Sequence, residues 1–168
     1  AAGDGNVDIV QRLLAAGVGR SQTSALENAV LGGHFEVTRL LVEDRFAGIE
    51  INSFDVSGRS ALHTAARTGR LDIVALLLSK EARVDIKTQE GDETPLYLAV
   101  EYDKWHVAHL LIAEGANVSI ACGPDKMTPL HAAAGKGDRA VLCLDKILTC
   151  IRDVNARSRG GSTALYLA

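Results

Sequence analysis

Aromatic residues are scarce in this sequence: one Trp, three Tyr and three Phe make up 4 % of 168 residues. A single thick core draws much of its volume from rings, so their scarcity favours thin, closely packed helices rich in Ala and Leu. Long apolar runs are also missing. The stretch around Leu76–Leu78 lies within an amphipathic segment and falls well short of the roughly 20 residues that cross a bilayer. An excess of positive charge is absent too, the formal net charge being −3. Nucleic acid, which demands clustered Lys and Arg, is therefore a poor partner.

Cysteine is limited to Cys122, Cys143 and Cys150, an odd number with no CxxC pair. Neither a disulfide framework nor a zinc site is indicated, and a reducing intracellular setting, cytoplasmic or nuclear, is the expectation. Residues 1–10 have no charged start with an apolar run and no initiator Met, so targeting information is expected outside this stretch. No glycine-rich phosphate loop, nucleophile elbow or paired-carboxylate motif occurs. The expectation is a non-enzyme without a cofactor or metal. With 47 % hydrophobic residues the chain has enough apolar content to fold.

What the sequence does contain is a recurring phrase. Ser24-Ala-Leu-Glu27, Ser60-Ala-Leu-His63, Thr94-Pro-Leu-Tyr97, Thr128-Pro-Leu-His131 and Thr163-Ala-Leu-Tyr166 align at spacings of 36, 34, 34 and 35. The first four are each followed by two small or apolar residues, then a turn at Gly33, Gly69, Asp103 or Gly137, then a second apolar segment. Ser or Thr caps a helix start, and Pro costs nothing at the next position because its missing N–H would be unpaired there. Gly supplies the positive φ that ends a helix, and Asp is one of the few substitutes. Each unit therefore reads as a helix hairpin. The second helix is clearest over 71–80, where Ile73, Val74, Leu76, Leu77 and Leu78 form an apolar face. Asp55-Val-Ser-Gly58 reads as the turn of a projecting loop. One hairpin cannot bury enough apolar surface to order itself, so neighbours must stack on it. Cys143 and Cys150, seven apart, are expected near one buried helical face.

These residues resemble the ankyrin repeat. Gly58-Arg-Ser-Ala-Leu-His-Thr-Ala-Ala-Arg-Thr-Gly69 and Thr128-Pro-Leu-His-Ala-Ala-Ala-Gly-Lys-Gly137 carry its hallmark. The resemblance covers essentially the whole chain. It implies an all-α solenoid of stacked helix-turn-helix units with projecting β-hairpin or turn loops. The expected division is a single domain, 1–168, with a partial repeat 1–20, full repeats 21–52, 53–85, 86–119 and 120–155, and a partial repeat 156–168. Departures from the family pattern include a short junction over 17–24 and a longer one over 43–52. The segment 141–155 carries a two-residue insertion without a helix-ending Gly, predicting an extended or distorted second helix.

The resemblance also implies roles. His63 and His131 occupy the family's His position, where the imidazole bonds to the backbone between neighbouring repeats. His106 and His109 are expected at the surface, since no third metal ligand lies close in sequence. Asn155 resembles a loop asparagine that is hydroxylated in some ankyrin proteins; the plainer reading is a turn-stabilising Asn.

Family members usually bind other proteins through the loop tips and the exposed side of the first helices. On that basis the expected function is a protein–protein interaction module, monomeric or part of a longer array. The alternative is a rigid spacer or regulatory segment of a larger enzyme or membrane protein. Equivalent positions assign the contact surface to Arg59, Glu93 and Met127 before the first helices, and to Arg67, Thr68, Glu101, Tyr102 and Lys136 on them. Phe54, Tyr102 and Trp105 are included because aromatic and Arg side chains dominate interface energetics. Trp105 could equally pack at the start of its helix, and Phe54 under its loop. The acidic group Glu90, Asp92, Glu93 and Glu101 suggests a partner with a basic segment, unless Arg67 and Lys136 neutralise it.

Overall fold

The computed structural model describes residues 2–15, 23–43, 49–136, 140–151 and 153–168. Its helices are α1 (Val7–Ala15), α2 (Thr23–Gly32), α3 (Phe35–Glu43), α4 (Ala61–Thr68), α5 (Leu71–Ser79), α6 (Pro95–Glu101), α7 (Trp105–Ala113), α8 (Pro129–Ala134), α9 (Val141–Cys150) and α10 (Ala164–Leu167). They pack in two layers. First helices α2, α4, α6, α8 and α10 lie side by side, while α1, α3, α5, α7 and α9 form the second row behind them.

The helix starts follow from the sequence. The Thr94 hydroxyl accepts from Tyr97 N at 3.2 Å, and Pro95 occupies the first helical position. At Ser60 and Thr128 the backbone N–H donates to Nδ1 of His63 (3.1 Å) and His131 (3.2 Å). These bonds satisfy N–H groups that a helix start leaves orphaned. Positive φ ends the first helices at Gly33 (72°), Gly69 (78°) and Asp103 (58°). At Gly33 and Gly69 the lack of a side chain serves a second purpose. A Cβ on Gly33 would collide with the Arg70 guanidinium, and one on Gly69 would stand 2.8 Å from Lys104 Cδ. The turn expected at Gly137 lies outside the described residues, as do most of the short junction (16–22) and residues 44–48 of the longer one.

Between the layers runs a core of small and branched side chains. Ala29, Val30, Ala65, Ala66, Ala99, Val100 and Ala133 are fully buried on the first helices, and Val37, Ile73, Val74, Leu77, Val107, Ala108, Leu111 and Ile147 lie opposite. Small residues let the first helices approach closely, which explains how a chain poor in rings still packs densely.

The projecting loops are short. Single backbone bonds close them at Asp55 N to Arg59 O, Thr88 N to Glu93 O and Ser158 N to Ser162 O, and among the described residues only Cys122 and Met127 exchange both bonds. Among the described residues no longer strand forms. Adjacent loops are joined by Gln89 N to Gly58 O (2.9 Å) and Arg159 N to Asp125 O (2.7 Å). A second ladder runs between successive units: Asn52 Oδ1 accepts from Arg83 N and Asp85 Oδ1 from Asn117 N.

Helix α9 spans ten residues against nine in α5 and α7, and its C-cap Ile151 is extended (ψ 143°), whereas the C-caps Lys80 and Glu114 of α5 and α7 have ψ of 25° and 12°. Over 141–155, where an extended or distorted second helix is expected, the difference from α5 and α7 is one residue of length and this extended cap. One expectation is corrected: Cys150 is exposed, because the buried position in that turn belongs to Ile147. The Cys143 side chain is outside the described residues.

Candidate partner-binding surface

The inter-unit histidines set the register of the surface. Nδ1 of His63 accepts from Ser60 N, so Nε2 carries the proton and donates to Glu93 O at 3.0 Å. His131 does the same to Ser162 O at 3.1 Å. Helices α4 and α8 are thus each tied to the loop of the following unit. Burial, chiefly, drives the His63 pKa down to about 4, further lowered by Arg59 and opposed by hydrogen bonds to the Glu93 and Ile86 backbone and by Asp55. His63 is therefore neutral at ordinary pH. Tyr97 takes the equivalent position on α6, where burial pushes its hydroxyl up to about 12.

Arg59, Glu93 and Met127 precede the cap residues of α4, α6 and α8, each half-buried, and the His63 bond holds the Glu93 backbone. At the far ends of the same helices lie Arg67, Thr68, Glu101, Tyr102 and Lys136. The Arg67 guanidinium lies over the Tyr102 ring, 5.8 Å from its centroid, and Tyr102 is 45 % exposed. Lys136 Nζ donates to Glu101 O at 2.6 Å and stands 3.9 Å from its carboxylate. Thr68 turns its hydroxyl inward, donating to Thr64 O at 2.7 Å. Together the side chains of Arg67, Tyr102, Glu101 and Lys136 make one continuous polar and aromatic row.

The acidic group is divided. Asp92 pairs with Lys126 at 3.1 Å, and that hydrogen bond holds its carboxyl below the usual range. Glu101 is engaged by Lys136, whereas Glu90 is exposed and Glu93 half-buried. Arg67 faces Tyr102 rather than this group. Trp105 is half-buried against the core at the start of α7, and Phe54 is half-buried beside the Asp55 turn. His106 and His109 are exposed. Asn155 is exposed and its N–H donates to Asp153 Oδ1 at 2.9 Å. It is the counterpart of Asn52 and Asp85, whose oxygens join successive units.

Sequence reasoning passed over Glu27, which occupies on α2 the position held by His63 on α4. Burial pushes its carboxyl up to about 7, against a hydrogen bond from Thr64 and with help from Asp55. The signal was present in the alignment as a carboxylate in a row of His and Tyr. Glu27, Leu31, Asp55, Arg59, Thr64 and Arg67 line a cavity of about 190 Å³ between α2, the Asp55 turn and α4.

Among the described residues no helix is long and apolar enough to cross a membrane. A family model described as ankyrin repeats (3 copies) matches residues 1–90 and 51–122. Ankyrin repeat and SOCS box protein 16 of Homo sapiens is 37 % identical over 147 residues, which is 88 % of this chain and 31 % of that protein. The nuclear factor NF-kappa-B p105 subunit of Mus musculus is 34 % identical over 123 residues, 73 % of this chain and 13 % of the relative. The E3 ubiquitin-protein ligase KEG of Arabidopsis thaliana is 33 % identical over 178 residues, covering 96 % of this chain and 10 % of the relative. The chain thus spans about a third or less of the length of these relatives. Repeats of this kind are protein-interaction modules carried within larger proteins, and with its phrase, two-layer stack and inter-unit histidines this chain belongs to the ankyrin-repeat family.

Proposed function

We propose that this segment binds a partner protein through the loop tips and first helices from the Asp55 turn to α8, and performs no catalysis itself. The observation that carries the reading is the Arg67–Tyr102 pair. A ring 45 % exposed, with a guanidinium over one face, is held at the ends of two adjacent helices. Neither the helix hairpin nor the stacking ladder needs these two side chains. Aromatic and Arg groups held in place beforehand are what interface hot spots use, because little ordering entropy remains to be lost on binding. Glu90 and Glu93 add negative charge on the loop side, which suits a basic segment of the partner there.

The division into four full repeats, 21–52, 53–85, 86–119 and 120–155, between partial repeats 1–20 and 156–168 belongs to the same proposal. So does a chain that is monomeric or part of a longer array. Asn155 is read as a joint to a following unit, by analogy with Asn52 and Asp85.

A second reading, a spacer or regulatory segment within a larger enzyme, is favoured by the match to one tenth of an E3 ubiquitin-protein ligase. Quantitative affinity capture separates the two. Proteins retained by the chain are compared with those retained by Arg67→Ala/Tyr102→Ala and by a control on the second row, Asp72→Ala/Glu114→Ala. Loss of specific partners only in the first variant supports the surface; an identical partner set across all three sinks it.

A further inference from the structure

The cavity between α2 and α4 holds two arginines that make no ion pair with the carboxylates beside them. Arg59 enters from the Asp55 turn and Arg67 from α4. Among the described residues neither side chain forms a hydrogen bond or an ion pair, and the Nε of each is buried without a partner. Buried donors in that condition cost stability unless something satisfies them.

The two carboxylates in the cavity are otherwise engaged. Asp55 Oδ1 accepts from Ser57 N at 2.8 Å and Arg59 N at 2.9 Å, shaping the turn. Glu27 is hydrogen-bonded by Thr64, and burial raises its carboxyl to about 7. Meanwhile the Tyr102 ring supports one face of Arg67. Stacking of that kind leaves the in-plane N–H donors available, and those donors match a carboxylate.

We propose that this cavity is a carboxylate subsite, in which Arg59 and Arg67 hold the side chain of an Asp or Glu from a bound polypeptide while Leu31 receives its methylenes. The inference rests on the binding surface proposed above and names the chemistry that one part of it reads. Size favours a side chain over a free metabolite, since about 190 Å³ is below the roughly 300–1,000 Å³ typical of small-molecule sites. Charge favours a carboxylate over a phosphate group. Glu27 and Asp55 share the cavity and repel a dianion more strongly than a monoanion. Leu31, 53 % exposed at the position equivalent to Arg67, supplies an apolar wall. The partner is then read with both signs, an acidic residue over α2–α4 and a basic one over Glu90 and Glu93.

The test uses the 168-residue chain and the Nε–Hε resonances of its arginines in proton–nitrogen NMR spectra. The probes are acetyl-Gly-Glu-Gly-amide, its Gln counterpart and sodium acetate. Saturable shifts of the Arg59 and Arg67 signals with the Glu peptide, at least tenfold weaker with the Gln peptide and with acetate, are expected. Saturation should vanish in Arg59→Gln/Arg67→Gln. Arg67→Lys, which keeps the charge but not the fork, should weaken it several-fold and serves where the double variant loses its spectral dispersion. Equal responses to the Glu and Gln peptides, or shifts that stay linear to the highest concentration, overturn the subsite. Acetate acting as well as the peptide overturns it also, in favour of a free-anion pocket. Since no partner protein is present, a negative result here leaves the affinity-capture test of the surface untouched.

Discussion

His63 Nε2 donates to the carbonyl oxygen of Glu93 at 3.0 Å, joining the first helix of one unit to the loop of the next. The imidazole is fully buried and also accepts from Ser60 N. One side chain therefore caps its own helix and fastens its neighbour.

Replacing His63 with Ala should lower the unfolding free energy by about 2–4 kcal/mol, through a cavity and a backbone N–H left without its acceptor. Glu93 O keeps its bond from Thr88 N, which limits the loss. Urea unfolding followed by circular dichroism measures it; a change under about 0.5 kcal/mol would show that the bridge is dispensable.

Stability should respond to pH through two groups that act in opposite directions. The Glu27 carboxyl is raised from 4.5 to about 7 in the folded chain. Its contribution is full below pH 4.5 and is lost as pH rises through 7. The His63 imidazole is lowered from 6.5 to about 4. Its contribution is full above pH 6.5 and is lost as pH falls through 4. Between pH 4.5 and 6.5 the two largely offset each other. Each is worth about 3 kcal/mol at most, at roughly 1.4 kcal/mol per tenfold in proton affinity. In Glu27→Gln only the His63 effect remains, so stability should climb by about 2 kcal/mol from pH 4.5 to 6.5 while the parent chain stays nearly level. Denaturation midpoints taken at four pH values check this, and parallel curves for the two proteins would refute it.

Glu81 and Gly115 follow the second helices α5 and α7 at equivalent places, with φ of 65° and 88°. A left-handed backbone costs a side-chain-bearing residue about 1–2 kcal/mol. Glycine avoids that strain but loses more entropy on folding. Glu81→Gly should thus raise the unfolding free energy by about 0.5–1 kcal/mol, and Gly115→Ala should lower it by about 1 kcal/mol. Thermal melts of the pair read both signs; a loss of stability in Glu81→Gly would contradict the strain argument.

Most of the fold is legible in the sequence because it is written locally and repeatedly. Thr94-Pro95 and Thr128-Pro129 start helices where such pairs must, and Gly33, Gly69 and Asp103 end them. The bridging role of His63 and His131, implied by resemblance, is met at both residues. Cys150 shows the limit of such reasoning. Seven-residue spacing identifies a helical face but not whether that turn of the helix meets a neighbour, and at the end of α9 the buried residue is Ile147 instead.

Side-chain pairing across the surface was less accessible. Arg67 and Tyr102 are 35 positions apart, and each reads from sequence as a contact residue, yet the ring beneath the guanidinium arises from how two first helices stand side by side. Asp92 was grouped with an acidic cluster, whereas Lys126 of the following loop pairs with it. The cavity shared by Glu27, Asp55, Arg59 and Arg67 is assembled from two helices and a turn, and no window of sequence contains it.

By itself, then, the sequence determined the repeating unit, the helix starts and stops and the need to stack, since capping, φ preference and apolar periodicity act within a few residues. Only the tertiary structure decided which charges are neutralised, which aromatic is exposed and where two unpaired arginines meet. Those outcomes depend on distances between units about 34 residues apart, set by the summed packing of small core side chains.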